Sequence, residues 1–147
     1  MELLLLVAVA LVSGASLPIQ AGVNSALRHH VGRPEIAALV SFTVGFLALL
    51  AWVLVTRQPW PTVAQAGRAP WWTWTGGFIG AFYVTTVVLL TPRLGVAATL
   101  AISVAGQMAT AVALDHYGAL GVPLRAFTPG RAVGALLLVA GVVLIRR

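Results

Sequence analysis

The chain has 147 residues, 60% of them hydrophobic and 8% charged, a balance that excludes an ordinary soluble domain and implies an all-α membrane protein. Its net charge of +6 comes from arginines, with no lysine, placed mainly in short connections. That pattern fits headgroup anchoring, and without a basic face on a soluble fold it argues against nucleic acid as a partner, while the lack of cysteine excludes disulfides and thiol chemistry.

Five apolar segments are predicted as transmembrane helices, at about residues 3–27, 34–55, 71–91, 94–115 and 128–145, in one transmembrane domain over residues 1–147. The first begins at Leu3 and passes Ser13-Gly14-Ala15, which has the small-x-small form of a cleavage site. Glu2 stands where a signal peptide places basic residues, and the hydrophobicity runs on past Pro18, so the segment is expected to stay. Ser13, Ser16, Gln20 and Asn24 recur at steps of three and four and form one polar stripe on a helix, while Leu11 and Leu17 can face lipid. Lipid offers such side chains no hydrogen-bond partner, so the stripe is read as the lining of a pathway, with Ser16, Gln20 and Asn24 as candidate solute contacts. Pro18 removes one backbone hydrogen bond here, and the freed carbonyl needs a neighbour, a side chain or water.

The first helix is expected to end near Arg28-His29-His30, before a tight turn at Gly32-Arg33-Pro34-Glu35. Pro34 suits a first helical turn and Glu35 the positive end of a helix. With no Cys, Asp or third His nearby, the two histidines read as exposed loop residues and not as a metal site. In the second segment Ser41 and Gly45 share a face, and two readings stand: small residues for close helix approach, or a hydroxyl contributed to the cavity.

The longest connection, Thr56 to Pro70, gives way to Trp71, Trp72 and Trp74, an aromatic belt at the headgroup layer. Gly76 and Gly80 then lie four apart as a packing pattern, with Tyr83 and Thr86 further along that face. Thr91-Pro92-Arg93-Leu94-Gly95 is read as a hairpin turn between the third and fourth segments. In the fourth, Thr99, Ser103, Gln107 and Thr110 repeat the logic of the first stripe. Gln107 can serve as interhelical glue or as cavity lining, and the presence of a stripe on two separate helices favours lining. Asp115-His116-Tyr117-Gly118 closes that helix as a solvated cap, because no nucleophile or ligand set accompanies it. The fifth segment carries Gly130, Gly134 and Gly141, read as packing positions, and its Arg131 would have to snorkel to the headgroups.

Pro18-Ile19-Gln20-Ala21-Gly22-Val23-Asn24, Gly76-Gly77-x-x-Gly80-Ala81, Pro92-Arg93-Leu94-Gly95, Gly106-Gln107 and Asp115-His116-Tyr117-Gly118 together resemble the YdcZ-type branch of the drug/metabolite transporter superfamily, over nearly the whole chain. The resemblance implies a five-helix half-transporter of the bacterial plasma (inner) membrane that pairs with an inverted second copy. That copy can be an identical chain, a paralogue of opposite orientation or a fused half. It also implies kinship with EamA-type and small multidrug resistance transporters. In the latter a first-helix carboxylate couples drug to protons; here Glu2 is terminal and no Asp or Glu occupies the central turns of any segment, so that chemistry is not carried over.

The arginines agree with an inverted pair. With five crossings, Arg57, Arg68, Arg125 and Arg131 fall on one side and Arg28, Arg33, Arg93, Arg146 and Arg147 on the other, four against five, which leaves orientation nearly unbiased. Two opposed copies would bring their stripes to a shared midplane cavity. The reading is therefore a secondary transporter subunit without cofactor or metal, working by alternating access as an antiparallel dimer. Gln20, Asn24, Ser16, Ser41, Tyr83, Ser103 and Gln107 are its candidate contacts to a small polar solute. The alternative is a non-transporting subunit that assembles with a paralogous or larger membrane partner. No nucleophile–base pair or metal constellation within the helices points to an enzyme.

Overall fold

A computed structural model describes the chain from Glu2 to Ile145; Met1, and the Arg146 and Arg147 that enter the arginine balance, lie outside the described residues. Among the described residues the regular structure is helical, with no strand. The helices are α1 (Glu2–Val31), α2 (Pro34–Val55), α3 (Val63–Gly67), α4 (Gly76–Leu94), α5 (Val96–Tyr117) and α6 (Pro129–Ile145), and a 3-10 turn over Trp71–Thr75 leads into α4. Four stretches are long and apolar enough to cross a membrane: Leu3–Val31, Pro34–Val55, Trp71–Leu94 and Val96–Tyr117. The 17 residues of α6 form a shorter apolar helix, about 26 Å at 1.5 Å per residue, against a hydrocarbon core of about 30 Å.

Local chemistry explains where the helices depart from the expected bounds. α1 runs on to Val31, so His29 and His30 lie in its last turn and not in a loop. The stop is set by Gly32, whose φ of 83° is the left-handed region that glycine tolerates and whose N–H donates to the Arg28 carbonyl at 2.8 Å. α2 starts at Pro34 with Glu35 in its first turn. The connection expected to be irregular holds the short α3: Thr62 and Gln65 form a capping box, with the Gln65 N–H donating to the Thr62 hydroxyl and the Thr62 N–H to the Gln65 amide oxygen. The turn expected over Thr91–Gly95 shrinks to Gly95 alone, at φ 80°, because α4 continues through Pro92 to Leu94.

The chain divides into two compact units, residues 1–92 and 93–147. In the first, the buried residues are Ala21 and Asn24 of α1, Ala37 and Ala38 of α2, and Val87, Val88 and Thr91 of α4. Between helices in lipid, burial rests on close packing and not on a hydrophobic drive, and small residues permit it. A methyl placed on Gly80 would sit 3.3 Å from the Phe42 ring, so Gly80 is where α4 admits the α2 aromatic. Every side chain from Leu3 to Gln20, by contrast, is exposed.

Pro92 has no N–H to offer the Val88 carbonyl four residues earlier. Arg28 fills that vacancy, its guanidinium donating to the Val88 carbonyl at 3.3 Å and to that of Leu89 at 3.4 Å. The cation also lies near the carbonyl end of α4, where the helix dipole favours positive charge.

In the second unit α5 ends at Gly118, φ 58°, and α6 starts behind Thr128, whose hydroxyl accepts from the Arg131 N–H at 3.3 Å. The link between them is folded onto α5, with the Arg125 N–H on the Asp115 carbonyl at 2.7 Å and the Phe127 N–H on His116 Nδ1 at 3.2 Å. Asp115, expected to be a solvated cap, is ion-paired with Arg131 at 3.3 Å.

Candidate functional site

The first polar stripe starts on exposed helix and ends in the core. Ser13, Ser16 and Gln20 are exposed, while Asn24, one turn beyond Gln20, is buried. Where the stripe passes α2, Gln20 and Ser41 line one cleft of about 330 Å³ together with Phe42, Gly45, Phe46 and Leu49. The Gln20 amide and the Ser41 hydroxyl each both donate and accept, and the other walls are aromatic or aliphatic. No ionisable group lines the cleft. A volume near the lower end of ligand pockets, with two polar groups on an apolar wall, suits a small uncharged polar moiety held by hydrogen bonds.

The remaining first-unit candidates lie off this cleft. The Ser16 hydroxyl turns back onto the Ser13 carbonyl at 2.6 Å, and Tyr83 is half-buried on α4. Gly76 has open space around it. In the second unit Ser103 donates to the Thr99 carbonyl at 2.9 Å, whereas Gln107 is exposed. Thr99 is buried and its hydroxyl has no hydrogen-bond partner among the described residues, a condition shared by Thr91 in the first unit. Gly134 lines a groove between α5 and α6, and Gly130 lies 4.0 Å from the Thr128 hydroxyl by its would-be methyl. Among the described residues no group of three or more His, Cys, Asp or Glu side chains could hold a metal ion.

Sequence reasoning passed over two arrangements. The sequence places Arg28 at the end of the first helix and in the arginine balance, yet it also extends the α1 face of Ala21 and Asn24 by one further turn, and Pro92 marks the carbonyl it serves. The Asp115–Arg131 pair joins residues separated by a loop, and nothing in their local patterns links them.

The chain matches, over residues 5–144, the family model described as "Putative inner membrane exporter, YdcZ". It is 34% identical over 113 residues to the protein named "Inner membrane protein YdcZ" of Escherichia coli (strain K12), an alignment covering 76% of this chain and 74% of that relative. No solved structure matches it.

Proposed function

The chain belongs to the YdcZ family, a multi-pass protein of the inner membrane, and on that premise we propose that it is a secondary transporter subunit that exports a small polar solute. In this reading α6 is a fifth crossing, and two copies of opposite orientation form the working unit. The observation that carries the proposal is the placing of Gln20. It shares a cleft with Ser41, yet it closes an eighteen-residue stretch of α1, Leu3 to Gln20, that finds no cover within the described residues. A stretch containing Ser13, Ser16, Gln20 and Pro18 needs polar company inside a bilayer, and a second copy or a water-filled cavity supplies it. Alternating access of two opposed copies would then present Ser16, Gln20, Asn24, Ser41, Tyr83, Ser103 and Gln107 to one side and then the other. The uncharged lining supports a neutral or zwitterionic metabolite over a drug cation.

The test uses proteoliposomes loaded with a mixed pool of small neutral and zwitterionic metabolites, with mass spectrometry of what appears outside. The intact chain releases at least one of them faster than protein-free liposomes do, and Gln20→Leu, with an unchanged elution profile, loses that release. A pool that escapes no faster with protein than without it contradicts transport and leaves the subunit that only assembles with a partner. Release that survives Gln20→Leu removes this cleft from the pathway.

A further inference from the structure

In the second unit α5 and α6 enclose a groove of about 300 Å³, with Met108, Val112, Gly134 and Leu138 on its apolar walls and the Asp115–Arg131 pair also lining it. Asp115 lies in the last turn of α5 and Arg131 in the first turn of α6. Each charge has the same sign as the pole of its own helix, a carboxylate at a carbonyl end and a guanidinium at an amino end. Alone, either placement is unfavourable. Side by side, 3.3 Å apart and about a third exposed, they form adjacent negative and positive poles, each reinforced by a helix terminus. The guanidinium is held in place by a second bond, to the Arg125 carbonyl at 3.2 Å.

From this charged end the groove follows the helices inward. Met108 precedes Asp115, and Leu138 follows Arg131, by about two turns, or about 10 Å of helix. α5 is long and apolar enough to cross a membrane, and in a bilayer that it crosses the poles at its carboxyl end would lie toward the headgroups and the apolar walls toward the hydrocarbon. A methyl on Gly134 would meet no atom within 4 Å, so the groove is open where the glycine lines it.

We propose that this groove binds one phospholipid with a zwitterionic primary-amine head: its phosphate on Arg131 and the amino end of α6, its ammonium on Asp115, and the first stretch of an acyl chain against Met108, Val112, Gly134 and Leu138. A choline head carries no N–H for the carboxylate, and a glycerol head leaves Asp115 facing phosphate without a cation. The apolar walls, at the depth of acyl chains, select a lipid over a soluble solute. This assignment rests on the chain's lying in a bilayer and not on transport.

Native mass spectrometry of the purified full chain, with phosphatidylethanolamine, phosphatidylcholine and phosphatidylglycerol of matched acyl chains, tests it. The ethanolamine lipid is expected to be retained about tenfold over the choline lipid, the scale of a charge-assisted hydrogen bond. Asp115→Asn brings the two to parity. Gly134→Leu, whose Cβ would meet no atom within 4 Å, is expected to lower retention of all three while the helical circular dichroism stays unchanged. Free phosphoethanolamine at millimolar concentration leaves the lipid in place. Equal retention of the three lipids by the unaltered chain overturns the proposal, as does a preference that persists in Asp115→Asn or a retention that Gly134→Leu leaves unchanged. Displacement by phosphoethanolamine overturns it too, since the head alone would then be recognised and the ligand would be soluble.

Discussion

The two ends of α1 live in different surroundings. Its carboxyl-terminal part, from Ala21 on, places Ala21 and Asn24 in the core of the first unit and sends Arg28 across to α4. Its first eighteen described side chains, Leu3 to Gln20, are all exposed. A proline sits in each environment: Pro92 of α4 in the packed end, where Arg28 supplies the missing donor, and Pro18 of α1 in the exposed part, where the nearby Ser16 hydroxyl is committed to the Ser13 carbonyl. The contrast is one of packing: burial in this unit lies at one end of α1, and the polar, proline-containing part is exposed among the described residues.

Substitutions at the two ends of α1 and its neighbours test that contrast. Ala37 is fully buried, so Ala37→Leu overpacks the tight end and is expected to cost up to about 3 kcal/mol, seen as a lowered Tm in detergent. Val9, 60% exposed, is the matched control: Val9→Ala in the monomer is expected to stay within about 0.5 kcal/mol. Equal losses at the two sites would erase the difference between the ends. Arg28→Ala leaves the Val88 carbonyl short of a donor and is expected to cost about 1–2 kcal/mol. In a Pro92→Ala background the helix supplies its own N–H there, so the same Arg28→Ala change should cost distinctly less; a cycle with purely additive losses would refute the link between proline and arginine. A small effect is also expected of Thr91→Val. Its buried hydroxyl has no partner among the described residues, so removing it should be neutral or stabilising within about 1 kcal/mol in a thermal melt. A larger loss would mean that the hydroxyl is bonded in the membrane.

The helical character of the chain and the start of α2 could be read from the sequence, because apolar length and Pro34 act locally. The short α3 was equally local, through the Thr62–Gln65 box, but its polar loop composition hid it. The end of α4 lies past the expected bound: Pro92 suggests a stop, whereas the helix carries on through it to Leu94, with Arg28 of α1 donating to the Val88 carbonyl that the proline leaves free. Of the candidate site, Gln20 and Ser41 were visible one at a time as polar residues in apolar runs. That they share a cleft depends on how α1 and α2 cross, which neither stripe encodes. The ion pair of Asp115 and Arg131 needed the path of the loop between them.

Under the proposed function, two oppositely oriented copies supply what the exposed part of α1 lacks. With no native cysteine, a single Val63→Cys at the start of α3, in the connection between α2 and α4 and at a position 90% exposed, reports orientation from a clean background. Impermeant maleimide labelling of intact cells, repeated after permeabilisation, should find about half the chains reactive from outside, as a near-neutral arginine balance requires. Labelling of essentially all chains from one side would contradict the identical inverted pair and leave α1 to be covered by a different protein.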